Sequence, residues 1–260
     1  MLGALAALQQ VSASPNDVQQ TPLINDDYVC THPPYQVLMV SKSPLVIYIT
    51  NFLTPSERLH LQKITASTFT RSAVTSHRGS TAHQVRTSHS TTVPRDPVVR
   101  CIETRALVFQ GYDTPRSHLE PLQLVKYGPT ERYHFHTDWF TSAAETAAGG
   151  NRVSSFFAYV HVANDTTGGG TNFPRLDAVT DERWCEQGIV ECDEPWENGV
   201  TFRPVEGNAV FWENLVSGTG RGDERTLHAG LPVTGGGKIG MNIWTREGPL
   251  PEEVRGVDVY

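Results

Sequence analysis

The sequence predicts an α+β fold, in which helices back a double-stranded β-helix, or jelly roll. Three observations predict it. Helix signals are confined to the first 111 residues, the chain from Leu122 onward reads as short strands, and turn formers are abundant, with 22 Gly and 17 Pro in 260 residues. Helices followed by a run of short strands mark an α+β arrangement rather than alternating βαβ units. A hydrophobic content of 38% over this length supports one domain with its own core. That domain is expected over 36–260. Residues 1–35 lack apolar periodicity and read as an extended arm, whose first thirteen residues, MLGALAALQQVSA, resemble a signal remnant without a basic leader.

The elements follow in order. Residues 44–51 (PLVIYITN) are β-branched and aromatic and predict a strand. Thr54-Pro55-Ser56-Glu57 is a capping box with Pro at the first helical position, opening a helix to about Thr68 with Leu59, Leu61 and Ile64 in apolar contact. Residues 71–94 are rich in Ser, Thr, His and Arg and read as a loop, a candidate cover for the active site. Asp96-Pro97 opens a second helix to about Gly111, burying Val98, Ile102 and Leu107. Strands are then expected at 122–127, 132–135, 153–163, 200–203, 208–212, 225–229 and 238–246.

Charge and cysteine content narrow the function. The formal net charge of −7 argues against nucleic acid as a partner. No run of eighteen apolar residues exists, so no membrane span is expected. The four cysteines are even in number. Cys185 and Cys192 close a short loop and are expected to pair, with Cys30–Cys101 the second bridge. With the sequon Asn164-Asp165-Thr166, this favours the secretory pathway, either endoplasmic reticulum lumen or extracellular space. The C-terminus, GVDVY, is not a retrieval signal of the KDEL type. Arg221-Gly222-Asp223 resembles an adhesion tripeptide and is given no role. Gly235-Gly236-Gly237-Lys238 is not a phosphate loop, because the first Gly of that pattern is missing and Ile239 replaces Ser/Thr.

The chemistry is carried by His136-Thr137-Asp138 and, some ninety residues later, His228. Ferrous iron in an oxygenase takes two imidazoles and a carboxylate on one face and keeps its other positions open. Two residues apart on a strand, His136 and Asp138 point the same way, and His228 is the candidate third ligand. By periodicity alone His134 competes with His136.

The segments LQLVKYGPTERYHFHTDWF (122–140), GGGTNFP (168–174), GVTFRPVEGNAVFWENL (199–215) and RTLHAGLPVTGGGKIGMNIWTRE (225–247) resemble the 2-oxoglutarate- and Fe(II)-dependent oxygenases. Within them they resemble the prolyl 4-hydroxylase catalytic domain, fungal members included. SPLVIYITNFLTPSE (43–57) and VRTSHS (85–90) extend the resemblance to about Cys30–Glu247. The family pattern puts the ligand His two before the Asp, which favours His136. The resemblance implies that Lys238 pairs with the far carboxylate of 2-oxoglutarate, with Tyr127 and Thr171 as further hydrogen-bond donors to it. It places Arg86, Ser88, Glu120, Tyr133, Arg152 and Trp244 around a peptide substrate. Ile239 departs from the family, which commonly has Trp after the lysine. Arg246 stands where members often differ.

The implied function is hydroxylation of peptidyl proline, coupled to decarboxylation of 2-oxoglutarate to succinate and CO2. Fe(II), 2-oxoglutarate, O2 and ascorbate are the implied cofactors, and a proline-rich peptide or protein the implied partner. The alternatives are the same chemistry on another peptide residue or a free small molecule and, more remotely, a metal-dependent hydrolase or a non-catalytic jelly-roll binding module. Nothing in the sequence sets the oligomeric state.

Overall fold

The computed structural model describes residues 28–72, 87–111, 113–176, 182–192 and 198–256. Most of the expected arm, and residues 73–86 of the expected cover, lie outside the described residues. Strands β1 (Gln36–Lys42), β2 (Leu45–Thr50), β3 (Thr70–Arg71), β4 (His89–Thr92), β5 (Gln123–Tyr127), β7 (Arg152–Val162), β11 (Ala209–Glu213) and β14 (Lys238–Arg246) form an antiparallel sheet in the order β1-β2-β11-β7-β14-β5-β4-β3. A second sheet faces it, made of β6 (Tyr133–His136), β9 (Thr171–Phe173), β10 (Val200–Phe202) and β12 (His228–Gly230) in the order β10-β9-β12-β6. A small ribbon pairs β8 (Thr167–Gly168) with β13 (Val233–Gly235). Two facing antiparallel sheets are the jelly roll expected.

Helices α1 (Pro55–Thr65) and α2 (Pro97–Gln110) cover the back of the large sheet. Period-two alternation sorts the strand residues between two cores. Phe156, Ala158 and Val160 of β7 and Ile239, Met241 and Ile243 of β14 meet the helices. Phe157 and Tyr159 of β7, with Phe173, Phe202 and Trp212, fill the space between the sheets.

The helix caps form as the sequence predicts. Thr54 accepts from the Glu57 amide at 3.2 Å, and Glu57 Oε2 accepts from the Thr54 amide at 2.8 Å. Asp96 caps α2, and Gly111 ends it at φ 69°, where an L side chain would be strained. Helix α1 stops at Thr65, short of the expected Thr68. Leu59 is 68% exposed because it lies about 200° around the helix from the fully buried Leu61. Glu57 also takes both terminal nitrogens of the buried Arg105, at 2.8 and 2.7 Å, tying the two helices together.

Six strands lie where none was expected: β1, β3, β4, β8, β9 and β13. β1 comes from an apolar run, Val37–Val40, without alternation. His89–Thr92 is a strand, not loop, because its backbone completes the ladder beside β5. Cys30–Cys101 and Cys185–Cys192 are both bridged. Among the described residues, no helix is long and apolar enough to cross a membrane.

Candidate active site

The pairing of β6 with β12 sets His228 directly opposite His136 in the register. Asp138 lies just past the end of β6, so the chain turns it inward after the strand has stopped. His136 Nε2 is 3.8 Å from Asp138 Oδ1, and His228 Nε2 is 3.9 Å from Asp138 Oδ2. The three ligand atoms lie within 4.8 Å of one another. His134 is exposed and outside this group; its carbonyl accepts from His136 Nδ1 at 2.8 Å. His228 Nδ1 donates in the same way to the Thr226 carbonyl at 3.0 Å. Each imidazole thereby commits its Nδ1 to a carbonyl and turns its Nε2 toward Asp138, the orientation a metal-ligating histidine requires.

Asp138 is held from behind. Ser155 Oγ and Trp244 Nε1 both donate to its Oδ2, at 2.7 and 2.9 Å, and these two residues are cross-strand partners on β7 and β14. Asn214 donates to Ser155 Oγ at 2.9 Å. Burial alone would raise the Asp138 carboxyl. The nearby His228, Arg152 and His136 and the Ser155 hydroxyl outweigh it and bring the pKa down to about 2. The group is an anion with Oδ1 turned toward His136. Two imidazoles and a carboxylate in this geometry fit one divalent ion.

Lys238 is buried at the inner end of β14. Its ammonium donates to the Gly169 carbonyl and sits 4.9 Å from the centroid of the Tyr127 ring. Among the described residues no carboxylate pairs with it, and burial lowers its pKa to about 7. A buried cation without a counter-ion is costly unless an anion arrives. Thr171 Oγ1 lies 2.9 Å from the Tyr159 hydroxyl. Gly230 faces the Tyr127 hydroxyl, which a Cβ there would meet at 3.4 Å.

A cavity of about 600 Å³ is lined by His136, Asp138, His228, Tyr127, Thr171 and Phe157 within, and by Glu120, Tyr133, Arg152 and Trp244 further out. It opens to solvent, since the exposed Thr141 and Val254 are also in its lining. Tyr133 stacks on the His136 ring at 3.7 Å. Arg152 lies flat on the Trp244 indole at 3.7 Å and grips Glu120 through two bonds of 2.7 and 2.8 Å. Arg246, its cross-strand partner, takes the same Glu120 oxygen at 3.0 Å. Trp244 and Arg152 are thus already engaged with Asp138 and Glu120. Ser88 is fully buried against Ser72 and is not in the cavity lining. Arg86 lies outside the described residues.

Sequence reasoning missed Ser155, Asn214 and the positioning part of Arg246; serine and asparagine on strands carry no distinguishing signal. The Arg-Gly-Asp tripeptide finds a structural explanation. A Cβ on Gly222 would come within 2.0 Å of the Trp139 indole, and Asp223 is buried and paired with Arg225 at 2.6 Å.

With this geometry in hand, comparison with known proteins is decisive. Residues 122–246 match the family described as the 2OG-Fe(II) oxygenase superfamily. Prolyl 4-hydroxylase 2 of Arabidopsis thaliana is 30% identical over 215 residues, spanning 81% of this chain and 70% of that protein. The chain belongs to the 2-oxoglutarate- and Fe(II)-dependent oxygenases and is prolyl 4-hydroxylase-like. Among other relatives of this oxygenase, prolyl 4-hydroxylase subunit alpha-3 of Mus musculus is 27% identical, over 88% of this chain and 40% of that one. The viral collagen prolyl hydroxylase of Paramecium Bursaria Chlorella virus-1 shares the fold, with a TM-score of 0.53 and 21% identity over 84% of this chain and 99% of that one. These plant, animal and viral relatives lend no particular support to the expected fungal kinship.

Proposed function

We propose that this oxygenase hydroxylates proline within a proline-rich peptide, using 2-oxoglutarate as cosubstrate and ascorbate to keep its iron reduced. The observation that carries this reading is an open cavity with the His136, Asp138 and His228 group in its wall and a buried cation, Lys238, 4.9 Å from the ring of the lining residue Tyr127 and without a carboxylate partner among the described residues. Iron at those three ligands supplies the activation of dioxygen. The chain's own residues do the rest. Lys238 holds the far carboxylate of 2-oxoglutarate, and Tyr127 and Thr171 offer it hydroxyls. Ser155 and Trp244 fix the Asp138 carboxylate so that one oxygen stays directed at the metal. Tyr133 walls the substrate side, and an opening to solvent suits an extended peptide in the polyproline conformation.

Arg152 and Glu120 contribute a rigid charged rim, braced by Arg246. We assign the enzyme to the secretory pathway on its two disulfides and the exposed sequon at Asn164. The test is anaerobic loading with Fe(II) and 2-oxoglutarate, addition of air, ascorbate and proline-rich peptides, and tandem mass spectrometry. One oxygen gained on proline, matched by succinate, supports the reading. Oxygen on another residue, or on a free metabolite alone, replaces the substrate while leaving the chemistry intact.

A further inference from the structure

The matched family segment ends at Arg246, but the cavity wall does not. The short helix α3 (Glu252–Arg255) returns to the mouth and adds Val254 to the lining. Val254 is 50% exposed, and it is the one exposed large apolar side chain among the described lining residues. Its neighbours Glu252 and Glu253 are exposed and charged. The turn is not a loose tail. Arg255 is buried and donates to the Arg116 carbonyl at 2.9 Å, while its own carbonyl accepts from Arg95 at 3.1 Å. Arg95 and Arg116 both grip the buried Glu103 of α2, at 2.9 and 2.7 Å. A buried ionic cluster therefore holds an apolar side chain out at the cavity mouth. About half of the Val254 surface is left open to solvent there, in a lining that also carries Trp139 and Phe140.

We propose that Val254 is a specificity-determining residue, which packs against an apolar side chain of the substrate flanking the residue that is oxidised. This rests on the reading of the enzyme as a peptide hydroxylase. The preference for an apolar flanking residue would then be set by a C-terminal turn outside the matched family segment, with no part in metal or 2-oxoglutarate binding.

The test uses the full chain and proline peptides in which a single Leu is walked along either side of the target, with Gly in its place as reference. At one Leu position Val254→Ser and Val254→Asp should raise KM roughly fivefold or more, the size expected when a half-exposed valine loses an apolar contact. Neither kcat nor peptide-free 2-oxoglutarate turnover should change, the Gly peptide should be indifferent to the substitution, and Val254→Leu should restore the preference. Because Val254 is exposed, these variants should fold. KM unchanged at every Leu position, or raised equally for Leu and Gly peptides, overturns the inference alone. Absence of peptide turnover alongside oxidation of a free metabolite overturns the peptide reading and this inference with it.

Discussion

Replacing Lys238 with Met should strengthen the empty protein and cripple the loaded one. The substitution keeps the unbranched side chain to within one atom of its length and removes its charge. Without 2-oxoglutarate the ammonium is buried, its hydrogen bond among the described residues going to the Gly169 carbonyl, and burial moves its pKa from 10.5 to about 7. At about 1.4 kcal/mol per unit, the charged form is disfavoured by on the order of 5 kcal/mol, an upper bound after relaxation. The sign follows from linkage. Between pH 7 and 10.5 the unfolded chain binds the proton and the folded chain does not, so stability rises with pH across that window, and the full burial cost is felt below it. Lys238→Met should therefore raise the urea midpoint of the empty protein, most clearly below pH 7, and flatten the pH dependence above it. The same change should weaken 2-oxoglutarate by roughly 3–5 kcal/mol, the usual loss when one partner of a buried charge pair is removed. Chemical denaturation across pH and titration calorimetry with Mn(II) in place of iron measure both quantities. A less stable empty variant, or a 2-oxoglutarate constant within twofold of the parent, would refute the reasoning.

Further outcomes are expected. Binding of 2-oxoglutarate should take up a proton above pH 7, because the dicarboxylate restores the Lys238 charge; calorimetry in buffers of different ionisation heat reads this directly, and no buffer dependence would contradict it. Trp244→Phe removes the 2.9 Å bond to Asp138 Oδ2 and should weaken metal binding about 10–100-fold, measured by Mn(II) titration. Leu61→Ala should cost roughly 3 kcal/mol of unfolding free energy, whereas the same change at the exposed Leu59 should stay within about 0.5 kcal/mol.

The ligand group was legible because its signal is local and periodic. His136 and Asp138 stand two apart, His228 offers the third candidate, and the resemblance favours His136 over His134. What the sequence could not show is that His228 lies opposite His136 in the register, or that Asp138 falls beyond the strand's end. The support of Asp138 depends on a long-range pairing, Trp244 against Ser155, joined only when β14 lies down beside β7. Neither residue announces that role, and Trp244 reads more naturally as a wall for a proline ring. Arg152 invites the reading of a free hand for a peptide carbonyl, yet Glu120 occupies it. The capped helices were clear from their Thr54 and Asp96 signals. The strands at 36–42 and 89–92 were not, since their hydrogen bonds depend on neighbours far along the chain.

The most direct measurement is the anomalous scattering of a crystal soaked without oxygen in Mn(II) and 2-oxoglutarate. The account predicts one metal, about 2.0–2.3 Å from His136 Nε2, His228 Nε2 and the Oδ1 atom of Asp138. Asp138 Oδ2 should remain on Ser155 and Trp244, and the far carboxylate of 2-oxoglutarate should lie on Lys238 Nζ. A metal held by His134 in place of His136, or a dicarboxylate bound away from Lys238, would contradict it.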